Sequence, residues 1–180
     1  QKKNPMSDSL SVQALKLLSE NIRTAVSDGR NIEAREGMLL GSMLAGQAFA
    51  NAPVAAVHAL AYPLGGHYHI PHGLSNSLVL PAVLEFNMPD AYQLYAELAE
   101  VIIPEGLVGS LESKAMSFLD SMCQIIRDVE LPPTLDKVNI PEADLDMLAA
   151  EAMLQQRLLI NNPREVTEEN ARKIYQLAYR

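Results

Sequence analysis

The chain has 180 residues, enough for one domain of ordinary size, and its 48% apolar content supplies a packed core. A net charge of −8 argues against nucleic acid or an anionic membrane surface as partner, since both demand clustered Lys and Arg. The lone Cys123 rules out an internal disulfide, and the polar start Gln1-Lys2-Lys3-Asn4-Pro5 is not a signal peptide, which together fit a cytoplasmic protein.

Nearly every periodic segment is helical. Ser7 or Asp8 is expected to cap a first helix with the stripe Leu10, Ala14, Leu17, Leu18, Ile22, Ala25 and Val26, ending before Gly29. Asn31 can cap a second, with Glu33 and Glu36 near its positive end. That helix then turns apolar on all faces through Met38, Leu39, Leu40, Met43, Leu44, Ala48 and Phe49, the pattern of a fully buried central helix. Its Gly37, Gly41 and Gly46 would let neighbouring helices approach closely.

Pro53 can open a third helix carrying Val57, His58, Leu60 and Ala61 and stopping near Pro63. Gly65 and Gly66 would then begin a loop, His67-Tyr68-His69-Ile70. Pro71 suits the start of a fourth helix, with His72 in its first turn and a kink at Pro81. Further helices are expected over roughly 90–103, 107–129 and 142–154, and a last one after Thr167-Glu168-Glu169. Leu131-Pro132-Pro133 and Asn161-Asn162-Pro163-Arg164 read as loops. With no alternating strand segment, no repeat and no low-complexity tract, the class is all-α, a multi-helix bundle spanning residues 1–180.

The 48 residues from Gly37 to Leu84 contain no Asp, Glu, Lys or Arg, yet hold all four histidines, His58, His67, His69 and His72. Length alone would allow a membrane span, for which about 20 apolar residues suffice. Gln47, Asn51, Pro53, His58, Gly65 and Gly66 interrupt the run, so it reads as buried core. Buried imidazoles need partners, and neutral imidazole is the commonest protein ligand for divalent metals. His58 and His72 lie 14 residues apart on two helices joined by a glycine loop, so a bend could bring both rings to one point. The residues alone leave three readings: a shared metal site, a self-contained zinc cluster over His67-x-His69-x-x-His72, or a structural or interaction bundle whose histidines only meet carbonyls.

The wording of this segment is more specific. Ala45-Gly46-Gln47-Ala48-Phe49-Ala50-Asn51-Ala52, then His58-Ala59-Leu60-Ala61-Tyr62-Pro63-Leu64-Gly65-Gly66, then Pro71-His72-Gly73-Leu74-Ser75-Asn76, closely resembles the iron-containing (group III) alcohol dehydrogenases. The resemblance runs from Lys3-Asn4-Pro5 through Glu33-Ala34-Arg35-Glu36 and Leu80-Pro81 to the closing Asn162-Pro163-Arg164.

What the resemblance implies is a metal-dependent enzyme interconverting alcohols with aldehydes or ketones by hydride transfer to or from NAD or NADP. In that family Fe²⁺, sometimes Zn²⁺, is held by an Asp and three His; by motif position two of the histidines are His58 and His72. The other two ligands, on a helix that the family places just before the Asn4-Pro5 segment, and the NAD(P)-binding α/β domain would precede this chain. That would make it most of the C-terminal helical domain of a homo-oligomeric enzyme, without its first helix or helices. No Gly-rich dinucleotide fingerprint occurs here. Tyr62 stands where many members carry a second histidine that assists proton transfer, so the resemblance assigns it a catalytic place. Phe49 would line the substrate pocket. His67 and His69 fall near the loop that faces the nicotinamide, where exposure to solvent or carbonyls is the expectation.

Overall fold

In the computed structural model, which describes residues 3–103 and 106–180, every regular element is helical. Gln1 and Lys2 of the polar start lie outside the described residues. The chain divides into two compact units, Gln1–Pro53 with Tyr92–Val129 and Val54–Ala91 with Glu130–Arg180.

The first unit opens with α1, Pro5–Ser27. Its cap is Asn4 rather than Ser7 or Asp8. Pro5 tolerates the first helical position because the N–H it lacks would have no partner there. Asn4 Oδ1 accepts from the Ser7 N–H at 3.0 Å and Ser7 Oγ accepts from the Asn4 N–H at 3.1 Å, so both donors of the capping box are satisfied. A tight turn follows, in which the Asn31 N–H reaches the Asp28 carbonyl at 3.0 Å. Asn31 then caps α2, Ile32–Asn51, accepting from Ala34. The α1–α2 hairpin closes over glycine: a Cβ on Gly41 would stand 2.9 Å from Leu18 Cγ, and one on Gly37 2.6 Å from Asn21 Cγ.

Against expectation, α2 is not a buried central helix. Its buried positions are Ala34, Gly41 and Ala48, a stripe repeating every seven residues, while Leu39, Leu40, Met43 and Phe49 are exposed. Apolar composition shows that a face favours cover; within its unit only the small-residue stripe is fully buried, with Met38 and Leu44 half-buried beside it. The C-terminal part of α4 (His72–Ile102) and α5 (Leu111–Asp128, capped by Ser110) complete this unit. Tyr95 stacks on Phe118 with ring centres 5.5 Å apart, and Lys114 pairs with Glu100 at 2.7 Å.

The second unit holds α3 (Ala56–Tyr68), the start of α4, α6 (Leu145–Met153), the short α7 (Gln156–Leu159) and α8 (Glu168–Tyr179), with 3₁₀ turns at Leu135–Val138 and Glu142–Asp144. Leu60, Leu64, Leu78, Val79, Leu135, Leu148, Ile174 and Tyr175 form its core, each essentially inaccessible. Each buried leucine contributes roughly 1.5–3 kcal/mol.

Further boundaries differ from expectation, among them α5, which begins at Leu111 rather than near 107. α3 starts at Ala56, after Pro53, and runs through Pro63, Gly65 and Gly66 to Tyr68. Pro63 removes one intrahelical donor, but Leu60 and Leu64 on either side are wholly buried and hold the helix together. The segments expected as separate helices around Pro81 and after Asp90 are one helix, α4, passing through both Pro81 and Pro89. The expected 142–154 helix begins as a 3₁₀ turn. α8 begins as expected, with Thr167 accepting from the Asn170 N–H at 3.2 Å. Among the described residues no helix is long and apolar enough to cross a membrane.

Candidate metal and substrate site

α3 and α4 meet at a sharp reversal. His69 ends α3 in the left-handed conformation, φ 55°, and its N–H closes on the Gly65 carbonyl at 3.1 Å. Ile70 is buried, and the Ser75 hydroxyl donates to its carbonyl at 3.2 Å. The Ser75 N–H takes the Pro71 carbonyl at 2.9 Å, so α4 starts with His72 as its first residue. Tyr68, in the last turn of α3, donates to Asp144 Oδ2 at 2.6 Å and ties the reversal to the 3₁₀ turn before α6.

This reversal lays the first turn of α4 beside the first turn of α3. The His58 and His72 rings stand 5.2 Å apart, centre to centre, tilted by 55°. Tyr62, one turn after His58 on the same face, lies 6.5 Å from His58 and 6.1 Å from His72. His58 is half-buried, whereas Tyr62, at 36%, and His72 reach the surface.

Burial, and secondarily the neighbouring His72, push the His58 pKa below the ordinary imidazole value. His58 is therefore neutral at pH 7, with a nitrogen lone pair free to bind. An imidazole nitrogen about 2.1 Å from an ion puts its ring centre about 3.2 Å away, and two such rings at the tetrahedral angle stand about 5.2 Å apart. The spacing of the two rings thus fits a shared divalent ion. Among the described residues no third His, Cys, Asp or Glu joins them.

Asn76 was not anticipated as a neighbour of His72. Its Nδ2 donates to the His72 carbonyl at 2.8 Å and lies 3.2 Å from His72 Nε2. A carbonyl accepts only from the amide's NH₂ end, which fixes the orientation of the carboxamide and leaves Asn76 Oδ1 buried without a partner. The four-residue spacing from His72 was the available signal.

The three-histidine zinc cluster does not form. His67 lies in the last turn of α3 with its ring 6.4 Å from that of Tyr68, His69 is the left-handed cap, and both are exposed. Because α3 continues through Gly65 and Gly66, these two histidines are helix-end residues rather than a ligand loop. Phe49 lies near the C-terminal end of α2, in the other unit, and is exposed.

A family model described as "Fe-containing alcohol dehydrogenase family, C-terminal" matches residues 1–179. Long-chain-alcohol dehydrogenase 1 of Geobacillus thermodenitrificans is 39% identical over 98% of this chain and 45% of its own length. The 1,3-propanediol dehydrogenase of Klebsiella pneumoniae is 35% identical over the same shares. A crystal structure of 1,3-propanediol oxidoreductase superposes with a TM-score of 0.95 at 34% identity, over 99% of this chain and 47% of that one. Sulfoacetaldehyde reductase from Bifidobacterium kashiwanohense, solved in complex with NAD⁺, gives 0.82 at 27% identity over 97% and 44%. The chain spans somewhat under half the length of these relatives.

Proposed function

Since this chain belongs to the iron-containing alcohol dehydrogenase family, we propose that it is the C-terminal helical domain of a metal-dependent, NAD(P)-linked alcohol dehydrogenase. In this reading the dinucleotide-binding fold and the remaining metal ligands come from the part of the relatives' length that the chain does not span. Its working compartment is the cytoplasm, consistent with its lone cysteine. What supports the reading most is the His58–His72 pair at 5.2 Å, on two helices whose reversal sets that spacing.

His58 and His72 would hold Fe²⁺ or Zn²⁺. Bound there, the ion would supply Lewis acidity at the oxygen of an alcohol or carbonyl substrate, with NAD(P) as the hydride acceptor or donor. The chain's own residues bind and orient. The half-buried His58 keeps its imidazole unprotonated at neutral pH, ready to act as a ligand without first losing a proton. Tyr62 presents a phenol over the same space and can donate a hydrogen bond to substrate oxygen, or pass its proton onward. Phenols as a class are poorer proton acceptors at neutral pH than the imidazole many members carry there.

The test uses the full-length polypeptide that carries this chain. Alcohol-dependent reduction of NAD or NADP, together with stoichiometric metal by elemental analysis, is expected, and both should fall in His58→Ala and in His72→Ala. Full metal loading in either variant would overturn the assignment.

A further inference from the structure

We infer that Tyr175 is a positioning residue for the site, fixing the turn of α3 that carries His58 and Tyr62. The inference rests on the metal-site reading above. Tyr175 lies on α8 and is wholly buried, and its hydroxyl donates to the Leu60 carbonyl at 2.6 Å. Leu60 sits midway between His58 and Tyr62, two residues from each.

A hydroxyl brought into a core needs a partner, and the chain supplies one at a single backbone atom 115 residues away. The location is informative. Pro63 has no N–H to offer the Ala59 carbonyl four residues before it, so the α3 ladder is interrupted directly beside Leu60. A helix at a proline can bend, and here a bend would swing His58 relative to Tyr62 and His72. The Tyr175 bond holds the backbone at this point from outside the helix. Burial pushes the Tyr175 pKa up, so the phenol keeps its proton at any working pH and remains a donor. Leu60 and Ala59 are themselves fully buried, so bulk solvent does not reach this carbonyl.

Tyr175→Phe keeps the ring and removes only the hydroxyl. Ile174→Val, a neighbouring buried position on α8, loosens packing without touching the bond. In the full-length protein with 13C-labelled histidine, Tyr175→Phe should retain its helical circular dichroism while losing the cross-relaxation between the His58 and His72 rings. Its affinity for Zn²⁺, measured against a chelator, should fall about 10–100-fold, the range typical of partners that orient ligands. Ile174→Val should lower the melting temperature and leave both readouts unchanged. Intact ring-to-ring cross-relaxation in Tyr175→Phe, with Zn²⁺ affinity within twofold of wild type, would overturn the inference. If His58→Ala instead left Zn²⁺ affinity untouched, the metal-site reading would fall, and the cross-relaxation alone would still decide whether Tyr175 positions the turn.

Discussion

Asn87 and Asn162, 75 residues apart in sequence, exchange a reciprocal pair of side-chain hydrogen bonds, each Nδ2 donating to the other's Oδ1 at 3.1 and 2.7 Å. Asn162 Nδ2 also reaches the Arg164 carbonyl at 2.7 Å. Arg164 in turn donates to the Phe86 carbonyl at 2.7 Å and stacks its guanidinium 4.4 Å over the Phe86 ring. The Asn162-Pro163-Arg164 loop is thereby clasped to one turn of α4.

The clasp gives the first prediction. Asn87 is buried, so removing its partner strands a polar group, which costs about 1–3 kcal/mol. Asn87→Ala and Asn162→Ala should each lower unfolding free energy by that amount in urea titrations. The double variant should lose clearly less than the sum, because the second change removes an already broken pair. Strict additivity would show that the two amides do not interact in solution.

A second prediction concerns alkaline pH. Burial, then the hydrogen bond and charge of Asp144, push Tyr68 up to about 12 from an ordinary value of 10.0. The unfolded chain therefore releases this proton first. The stability that Tyr68 contributes is full below pH 10 and is lost as pH climbs from about 10 to about 12. Tyr68→Phe should flatten this part of the stability profile relative to wild type. Parallel profiles between pH 9 and 12 would count against the bond.

If the proposed metal site is right, His58→Ala or His72→Ala in the full-length polypeptide should abolish metal loading and activity together, since a catalytic metal site ordinarily has three or more protein ligands. Tyr62→Phe should keep the metal and lower turnover by about 100-fold if the hydroxyl relays a proton. Elemental analysis and steady-state kinetics on the same preparations separate these effects. Unchanged turnover in Tyr62→Phe would make it a pocket wall only.

The isolated 180-residue chain should not reduce NAD or NADP with any alcohol. It has two convergent imidazoles and, among the described residues, no third ligand beside them. Absorbance at 340 nm is the measurement, and a measurable alcohol-dependent rate would mean that the chain is a whole catalyst.

Local signals carried much of this architecture. Asn31 and Thr167 cap the helices they were expected to cap, because an N-cap is a contact over three residues. The proline and glycine signals misled at Pro63, Gly65 and Gly66, where burial of Leu60 and Leu64 outweighs the helix-breaking cost. α2 misled in the opposite way: its sequence shows an apolar surface and carries nothing about whether a neighbour covers it. At the site, the His58 and His72 motifs were readable and their convergence was a reasonable expectation. The Tyr175–Leu60 bond was not readable, since a phenol 115 residues away leaves no periodic trace.

The reversal between α3 and α4 also fixes a length. Each residue added to a helix rotates everything after it by about 100° and advances it by about 1.5 Å. One extra residue between His58 and the His69 cap would therefore turn the start of α4 a quarter of the way around the axis and carry His72 off the face that His58 shares. A homologue that keeps this pair is free to change side chains along the segment, but an insertion or deletion there would part the two rings. The 14-residue interval works as a ruler, and its graduations are the turns of α3.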